Sequence, residues 1–257
     1  MEFPTGRDPS PLLLHAGNPG TWTGPGNNTY LLDGAEPTLV DAGVGNVEHV
    51  NAIAARLQGR ALTRVLVTHG HPDHASGVPA LRGRWPDLEA RKWLDGPEAG
   101  WHPLRDGDRV QAGGTSLTVV HTPGHARDHV CFWQPDSREV YCGDMMTATT
   151  TILIPPAARG GSLRDYLASL RRLADLDPVT AWPGHGPVIR APVARIQEYL
   201  AHRADRERQV RACLANGLAD LDAIVAQVYA DTPEALWPAA RLTVEALLEK
   251  LAQDGRC

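Results

Sequence analysis

The chain has 257 residues, of which 42% are hydrophobic and 21% are charged, as is ordinary for a globular fold with a buried core. This length allows one large domain, with or without a small second one. The formal net charge of −5 excludes a broadly basic surface, which is the usual electrostatic footprint of nucleic-acid-binding proteins, although it leaves room for a local basic patch.

Cysteine usage and apolar runs indicate the cellular setting. The four cysteines form no CxxC pair, so we expect reduced thiols and a cytoplasmic location. The N-terminal segment has no positively charged region followed by a long apolar stretch, and no apolar run reaches 18 residues. We therefore expect neither a signal peptide nor a membrane span.

The first predicted elements alternate between strand and helix. Residues 27–44 contain two short β-type runs, TYLL and TLVDA. Asn46 is followed by apolar residues at helical spacing as far as Leu57, and Gly59 ends that pattern. The run RVLVTH after it is typical of a strand covered on both faces. This order predicts helices layered against a sheet.

The middle of the chain returns to strands. Four runs predict them: TSLTVVHT (115–122), HVCFW (129–133), EVYCGD (139–144) and VTAWPGHG (179–186). Between the last two, Ser162 opens a helical pattern, and Asp165 lies three residues later in a capping-box arrangement.

From about residue 191 the strand signals stop. Helical stretches are predicted at roughly 192–215, 219–230 and 233–253, with breaks at Asn216-Gly217 and Thr232-Pro233. We therefore predict two domains, a main one over residues 1–190 and a small helical one over residues 191–257.

Residues 68–74, THGHPDH, carry the strongest chemical signal. They place three imidazoles and a carboxylate in six consecutive positions directly after a predicted strand. Core packing gives no reason for such crowding of titratable groups, and a surface histidine cluster is the less favoured interpretation. Zinc, in contrast, prefers imidazole nitrogen and carboxylate oxygen at about 2.0–2.2 Å. The motif therefore predicts a metal site.

Three further residues have positions suited to the same site. His125, Asp144 and His185 each lie at the end of a predicted strand or in the Gly/Pro loop after it, where a rigid scaffold can aim a side chain inward. Pro-Gly-His occurs twice, at 123–125 and 183–185. A lone buried histidine is usually structural, but two in identical loop contexts favour ligation.

Together these motifs resemble the metallo-β-lactamase superfamily, whose five signatures match in order across roughly residues 25–190. The resemblance implies an α/β fold, an αββα sandwich with a dinuclear zinc site at the sheet edges. One zinc ion would bind His69, His71 and His125. The other would bind Asp73, His74 and His185, and Asp144 would bridge the two. Asp41, after an early strand, resembles the residue that steadies the ligands from behind.

The resemblance also implies a mechanism. Two zinc ions about 3.5–4 Å apart would share a water and lower its pKa toward about 7, which predicts hydrolysis by zinc-activated hydroxide. Asp73 would be the catalytic residue that orients the hydroxide and takes its proton. No separate serine or cysteine nucleophile is signalled.

The flanking segments resemble the lactamase-beta-2-like subgroup. They are NPGTWTGPGNNTYLL, GDMMTATTTILIPP, PGHGPVI followed by IQEYLAHRADRERQ, and the helical tail. The best-described member of that subgroup is a mitochondrial endoribonuclease that acts on single-stranded RNA, so RNA cleavage is one hypothesis. The tail resembles the subgroup's small winged-helix module. The chain stops at DGRC, where a β-wing would begin, and we do not expect sequence-specific DNA binding.

Two alternatives stay open, because the ligand set alone does not choose among relatives. The first is a zinc hydrolase of small thioesters, lactones or β-lactams, similar to glyoxalase II, which the sequence pI of about 6.1 mildly favours over an RNA substrate. The second is a non-hydrolytic iron persulfide dioxygenase. Asp144 in the bridging place disfavours the β-lactamase class that has a cysteine ligand there. His71 disfavours the flavodiiron pattern.

Substrate residues are predicted by position alone. Trp22, Met145 and Thr149 are expected to line the substrate pocket, whereas Asp128 and His129 are expected to support the site rather than ligate metal. Residues 195–211 hold five arginines against three acids. These arginines offer contacts to RNA phosphates, although a solvated helix face is the favoured interpretation. The oligomeric state is left open.

Overall fold

The computed structural model describes residues 11–21 and 23–255. Trp22, one of the three predicted pocket residues, lies outside the described residues. Within them, no helix is both long enough and apolar enough to cross a bilayer.

Eleven strands of the described residues form two sheets. The first sheet has six strands in chain order, with antiparallel pairing from β1 to β3 and parallel pairing from β3 to β6. These strands are Leu12–His15 (β1), Asn28–Leu32 (β2), Thr38–Val40 (β3), Arg64–Leu66 (β4), Glu89–Trp93 (β5) and His102–Leu104 (β6).

The second sheet has the order β11-β10-β9-β8-β7. Its strands are Arg109–Ala112 (β7), Thr115–His121 (β8), Val130–Gln134 (β9), Glu139–Gly143 (β10) and Thr180–Pro183 (β11). The pairing is antiparallel from β7 to β10, and β11 is parallel to β10. The ends of β8, β10 and β11 therefore point the same way.

Seven α-helices complete the described part of the chain. They are Val47–Leu57 (α1), Pro72–Ala75 (α2), Val78–Arg84 (α3), Leu163–Asp175 (α4), Pro192–Ala215 (α5), Leu221–Val228 (α6) and Trp237–Gln253 (α7). The capping box predicted for α4 is present in part, because Ser162 Oγ accepts a bond from the Asp165 N–H at 3.2 Å. Asn46 precedes α1 as expected, but its amide donates to Gly17 O instead of capping the helix.

Three apolar layers define the architecture. Leu66, Phe132 and Trp182 belong to a core between the two sheets. A second core, which includes Ile53 and Leu81, joins the outer face of the first sheet to α1 and α3, and a third covers the outer face of the second sheet. The αββα sandwich that the resemblance implied is confirmed.

The C-terminal helices share that third core. Tyr166 of α4, Ile196 of α5, Val225 of α6 and Leu247 of α7 are all buried in it. The three helices lie where the sequence predicted them, and in the described residues no strand follows Pro183. The domain boundary at residue 190 stays a prediction, and the third core crosses it.

A buried histidine on α1 links folding to pH. The Thr29 hydroxyl donates to Leu14 O, so the His49 Nε2–H donates to Thr29 Oγ1 at 2.8 Å. The buried His49 Nδ1 has no partner among the described residues. Burial lowers the pKa of His49 to about 4, because protonation would add a buried, unpaired N–H.

We expect His49 to make the protein sensitive to acid. Its folded pKa is depressed, so its contribution to stability is present above its unfolded pKa of about 6.5 and is lost as the pH falls toward 4. With chelator present, His49→Gln should therefore show a shallower fall in unfolding free energy over that range, by up to about 1.4 kcal/mol per pH unit. Urea unfolding of both proteins at several pH values measures it, and parallel profiles would contradict it.

Candidate metal centre

The THGHPDH segment follows β4, where the C-terminal end of this strand leaves the first sheet. Pro72 opens α2 at a position where a missing N–H costs nothing. His71 precedes that helix, and Asp73 and His74 lie within it. One tight turn therefore directs three imidazoles and a carboxylate into a small volume, in which His69 and His74 are fully buried.

Three imidazoles form the first group of donors. The ligand atoms of His69, His71 and His125 all lie within 4.8 Å of one another. His71 Nδ1 is 2.9 Å from His69 Nε2 and 3.1 Å from His125 Nε2. Two of these histidines come from the turn after β4 and the third from the loop after β8, so the group joins the two sheets.

A carboxylate and two imidazoles form the second group. Asp73 Oδ2 is 3.6 Å from His74 Nε2 and 3.4 Å from His185 Nε2. His185 follows β11 and reaches this group from the second sheet. Both groups therefore combine the end of a strand in one sheet with the end of a strand in the other.

Asp144 lies between the two groups. Its Oδ1 is 3.5 Å from both His74 Nε2 and His185 Nε2, while its Oδ2 is 3.6 Å from His125 Nε2. Oδ1 is buried and has no hydrogen-bond partner among the described residues. The two oxygens thus face opposite groups, as a bridging carboxylate requires.

The donor set fits two cations. Ligand atoms about 2.1 Å from a tetrahedral zinc ion lie about 3.4 Å from one another, which is close to the 3.4–3.6 Å separations around Asp73 and Asp144. A buried carboxylate oxygen without a donor is costly unless a charge compensates it. The residues present therefore fit a dinuclear site.

Contacts behind the ligands fix their orientation. Asp41 Oδ2 accepts a bond from His74 Nδ1 at 2.8 Å, which leaves His74 Nε2 facing the site. Asp41 Oδ1 accepts from the Thr68 N–H at 2.8 Å. Asp41 has a φ of 60°, a left-handed conformation that aspartate tolerates better than most residues. His125 is oriented in the same way, since its Nδ1 donates to Leu153 O at 2.9 Å.

Asp128 and His129 have supporting contacts. Asp128 Oδ2 accepts from the Gly70 N–H at 2.7 Å, within the histidine-rich turn. His129 Nε2 accepts from the Asp144 N–H at 3.1 Å, and its Nδ1 faces Thr122 Oγ1 at 2.9 Å. Neither residue belongs to the groups of donor atoms described above.

Charge within the site favours cations. Burial opposes charging of Asp144, but the neighbouring imidazoles outweigh it and hold the pKa of this carboxyl well below its usual range. Burial also opposes protonation of His185, yet Asp144 and Asp73 raise its pKa to about 9. For His69, burial and the adjacent imidazoles lower the pKa. A divalent cation would replace the protons that balance these carboxylates.

The repeated Pro-Gly-His has a steric basis. A Cβ on Gly184 would lie 2.7 Å from both Asp144 Oδ1 and His74 Cε1. A Cβ on Gly124 would lie 2.3 Å from the Cα of Tyr166 in α4, and Gly124 has a φ of 141°. Each glycine therefore lets a histidine loop pass close to its neighbour.

The predicted pocket residues are placed differently. Met145 is fully buried in the third core, where the Tyr166 hydroxyl donates to its carbonyl. Its predicted place in the pocket wall is wrong, because the chain turns beneath α4 after Asp144. Thr149 is exposed and is not part of the cavity wall described next.

A cavity of about 600 Å³ opens beside His71. Its wall includes Gly70 of the histidine-rich turn, Trp93 at the end of β5, and Arg127 and Arg159. Arg127 donates to Ala157 O, which ties it to the turn that carries Arg159. Nothing in the sequence marks Trp93 and Arg159 as cavity residues, because no local pattern places them beside a motif so distant in sequence.

The arginines of 195–211 have intramolecular partners. Arg203 is only 3% exposed, donates to Ile152 O and packs over the Tyr166 ring. Arg206 donates to Val228 O, and Arg208 pairs with Asp205. The suggestion that Arg203 contacts RNA phosphates is therefore wrong, since its guanidinium is buried.

Comparisons with known proteins agree with this architecture. The family model described as metallo-beta-lactamase superfamily matches residues 22–185, and that of the beta-lactamase associated winged helix domain matches residues 221–257. A beta-lactamase-like protein 2 homolog from Caenorhabditis elegans is 34% identical over 250 residues, which cover 93% of this chain and 82% of the relative. An atrochrysone carboxyl ACP thioesterase from Passalora fulva is 32% identical over 263 residues, with coverages of 96% and 77%.

Solved structures show the same fold. A metallo-beta-lactamase family protein from Thermus thermophilus is 25% identical, with a TM-score of 0.80 over 96% of this chain and 94% of its own. TTHA1623, solved in a di-iron-bound form, is also 25% identical, with a TM-score of 0.55 over 72% of this chain and 97% of its own. The chain belongs to the metallo-β-lactamase superfamily and has beta-lactamase-like protein 2 homologues among its relatives.

Proposed function

We propose that the protein is a dinuclear metal-dependent hydrolase of small thioesters or related esters. The observation that carries this proposal is Asp144, whose two carboxylate oxygens face two different groups of ligand atoms. A site with one ion would not need a buried carboxylate in that position. The six residues of the two groups, together with Asp144 between them, are the ligands that the sequence predicts.

Zinc is the proposed metal at both sites. Five imidazoles and two carboxylates suit zinc, although the same donors also bind iron, and TTHA1623 was solved with two irons. When bound, such ions polarise a carbonyl oxygen and lower the pKa of water. Metal analysis of the purified protein separates the proposals. Two zinc equivalents support the hydrolase, and a single iron supports the dioxygenase.

Asp73 is proposed as the catalytic residue. Its side chain is 25% exposed, compared with 11% for Asp144, so it is the more solvent-accessible of the two carboxylates. Burial opposes its charge, but bonds from His185 and Asn27 and the nearby His74 keep its pKa well below the usual range. It therefore stays a carboxylate at neutral pH, as a residue that orients water and accepts its proton must.

The cavity supports a small-molecule substrate. Its volume of about 600 Å³ lies within the roughly 300–1,000 Å³ range of small-molecule sites, and it reaches the first group of ligands at His71. A relative named as an acyl carrier protein thioesterase supports thioesters among the candidates. Cleavage of RNA stays a prediction from the resemblance, and the partners of Arg203, Arg206 and Arg208 do not favour it.

The cytoplasmic location is likewise proposed from cysteine usage. Cys131, Cys142 and Cys213 are buried and unpaired with one another, which is the state expected in a reducing compartment.

We expect the zinc-loaded protein to hydrolyse an anionic thioester, such as a coenzyme A ester, faster than a lactone, nitrocefin or single-stranded RNA. Among the described residues the Arg159 guanidinium forms no hydrogen bond or ion pair, although its backbone N–H donates to Pro156 O, and Arg159 lies in the cavity wall. Arg159→Ala should therefore raise KM for the anionic thioester several-fold, with kcat nearly unchanged.

Arg208→Ala is the matched control, because Arg208 is also exposed but lies on α5 and pairs with Asp205. It should leave thioester kinetics unchanged. Fast RNA cleavage that weakens with salt and in Arg208→Ala would instead favour the endoribonuclease.

A further inference from the structure

A buried asparagine lies among the ligands of the second group. Asn27 precedes β2, is fully buried, and forms a backbone bridge with His185. Its Nδ2 is 3.0 Å from Asp73 Oδ2, 3.2 Å from His74 Nε2 and 3.5 Å from His185 Nε2. One amide nitrogen therefore contacts all three ligand atoms of this group.

The hydrogen bonds behind Asn27 fix which way its amide points. The Asn27 backbone N–H is a donor, so the Asn18 atom that it meets at 2.9 Å is an oxygen, Oδ1. The other end of the Asn18 amide is then an NH2 group, which donates to Asn27 Oδ1 at 2.7 Å. Asn27 must consequently turn its NH2 group toward the ligands.

An NH2 group in that position contacts the metal-ligating side chains but does not itself bind metal. It donates to Asp73 Oδ2, the oxygen nearest to both imidazoles, and it lies 3.2 Å from His74 Nε2 and 3.5 Å from His185 Nε2. A carboxylate oxygen in the same place would, in contrast, be a donor that zinc accepts.

We propose that Asn27 is a positioning residue for the second metal site. Its amide holds Asp73, His74 and His185 together before the ion binds. This rests on the proposed dinuclear centre. The amide bridges groups that come from different sheets, and Asn18 braces it from behind. Loss of such an outer contact typically costs about 10–100-fold in metal affinity.

The test is a zinc titration of the full-length, metal-free protein against a chromophoric chelator, which resolves the two affinities. Asn27→Leu keeps the volume but removes the donor. It should weaken the second zinc about 10–100-fold and leave the first zinc unchanged. Asn18→Ala should shift the same affinity in the same direction, by less. The first site serves as the control within each variant.

Asn27→Asp separates positioning from a merely structural role. It places an anionic oxygen where the NH2 group was, so the second zinc should bind at least as tightly as in the wild type. The metal-free variant should melt at a lower temperature, because the new carboxylate faces Asp73. A structural role would make the leucine and aspartate variants lose both zincs alike.

The outcomes distinguish this inference from the proposed function. If the wild-type protein fails to bind two ions, the dinuclear proposal is wrong and the inference falls with it. If the wild type binds two ions and Asn27→Leu binds the second with unchanged affinity, only the inference is overturned.

Discussion

Asp144→Ala is expected to hold no more than one metal ion per chain and to lose nearly all hydrolytic activity. Asp144 is the residue whose two oxygens face both groups of ligand atoms. Its removal would take a ligand from each ion, and Asp73 would be left as the carboxylate that faces His74 Nε2 and His185 Nε2. Loss of one ion removes several kcal/mol of transition-state stabilisation, a fall of about 10³-fold or more in kcat.

Metal content by mass spectrometry and the thioester assay measure this effect. Asp106→Ala is a suitable control, because Asp106 is a carboxylate that pairs with Arg172 outside the site. It should keep both ions and the wild-type rate. Full metal occupancy together with a wild-type rate in Asp144→Ala would refute the dinuclear scheme.

The site was predictable because its signals are local. Each predicted ligand follows a strand, and the strands β4, β8, β10 and β11 all end at one edge of the sandwich. Core packing does not explain a turn with the sequence THGHPDH. In the two Pro-Gly-His loops, the glycine before the histidine indicates that the loop passes close to a neighbouring segment. The sequence alone is therefore enough to predict that these ligands lie together.

The parts that were missed depend on distant contacts. The strand β6 contains Pro103, and within residues 11–21 and 23–255 it pairs only with β5. This is the edge position that proline tolerates, and the three residues of β6 carry no periodic pattern. Asn27 lies next to a second asparagine in a Gly-rich loop, and its sequence gives no sign that it contacts Asp73. Met145 was misplaced because the direction of the chain after β10 is set by packing under α4.

The helix α5 links the C-terminal segment to the metal centre. The Tyr199 hydroxyl accepts from the Thr147 N–H at 2.9 Å and donates to Thr150 O at 2.7 Å. Arg203 of the same helix donates to Ile152 O. The next carbonyl, that of Leu153, accepts the bond from His125. The segment that orients one of the ligands is thus held from behind by α5.

A chain that ends at residue 190 is therefore expected to lose both its stable fold and its metal affinity. Ile196, Val210 and Leu247 are buried in the core shared with α4, and truncation of each such side chain alone typically costs about 2–5 kcal/mol. Their joint loss is comparable to the whole stability of a domain, about 5–15 kcal/mol. Truncation would also expose the face of α4 that packs against the C-terminal helices. The shortened protein should therefore aggregate or bind a hydrophobic dye.

Tyr199→Phe is the matched, milder variant, because it removes the two hydroxyl bonds but keeps the ring in the core. It should remain folded, with a stability loss of about 1–3 kcal/mol, and should bind zinc less tightly at the site that contains His125. Near-ultraviolet circular dichroism, melting curves and zinc titration compare the three proteins. If the shortened chain melts cooperatively at the wild-type temperature and binds two ions, α5 does not brace the site, and residues 191–257 would be an independent unit joined at residue 190.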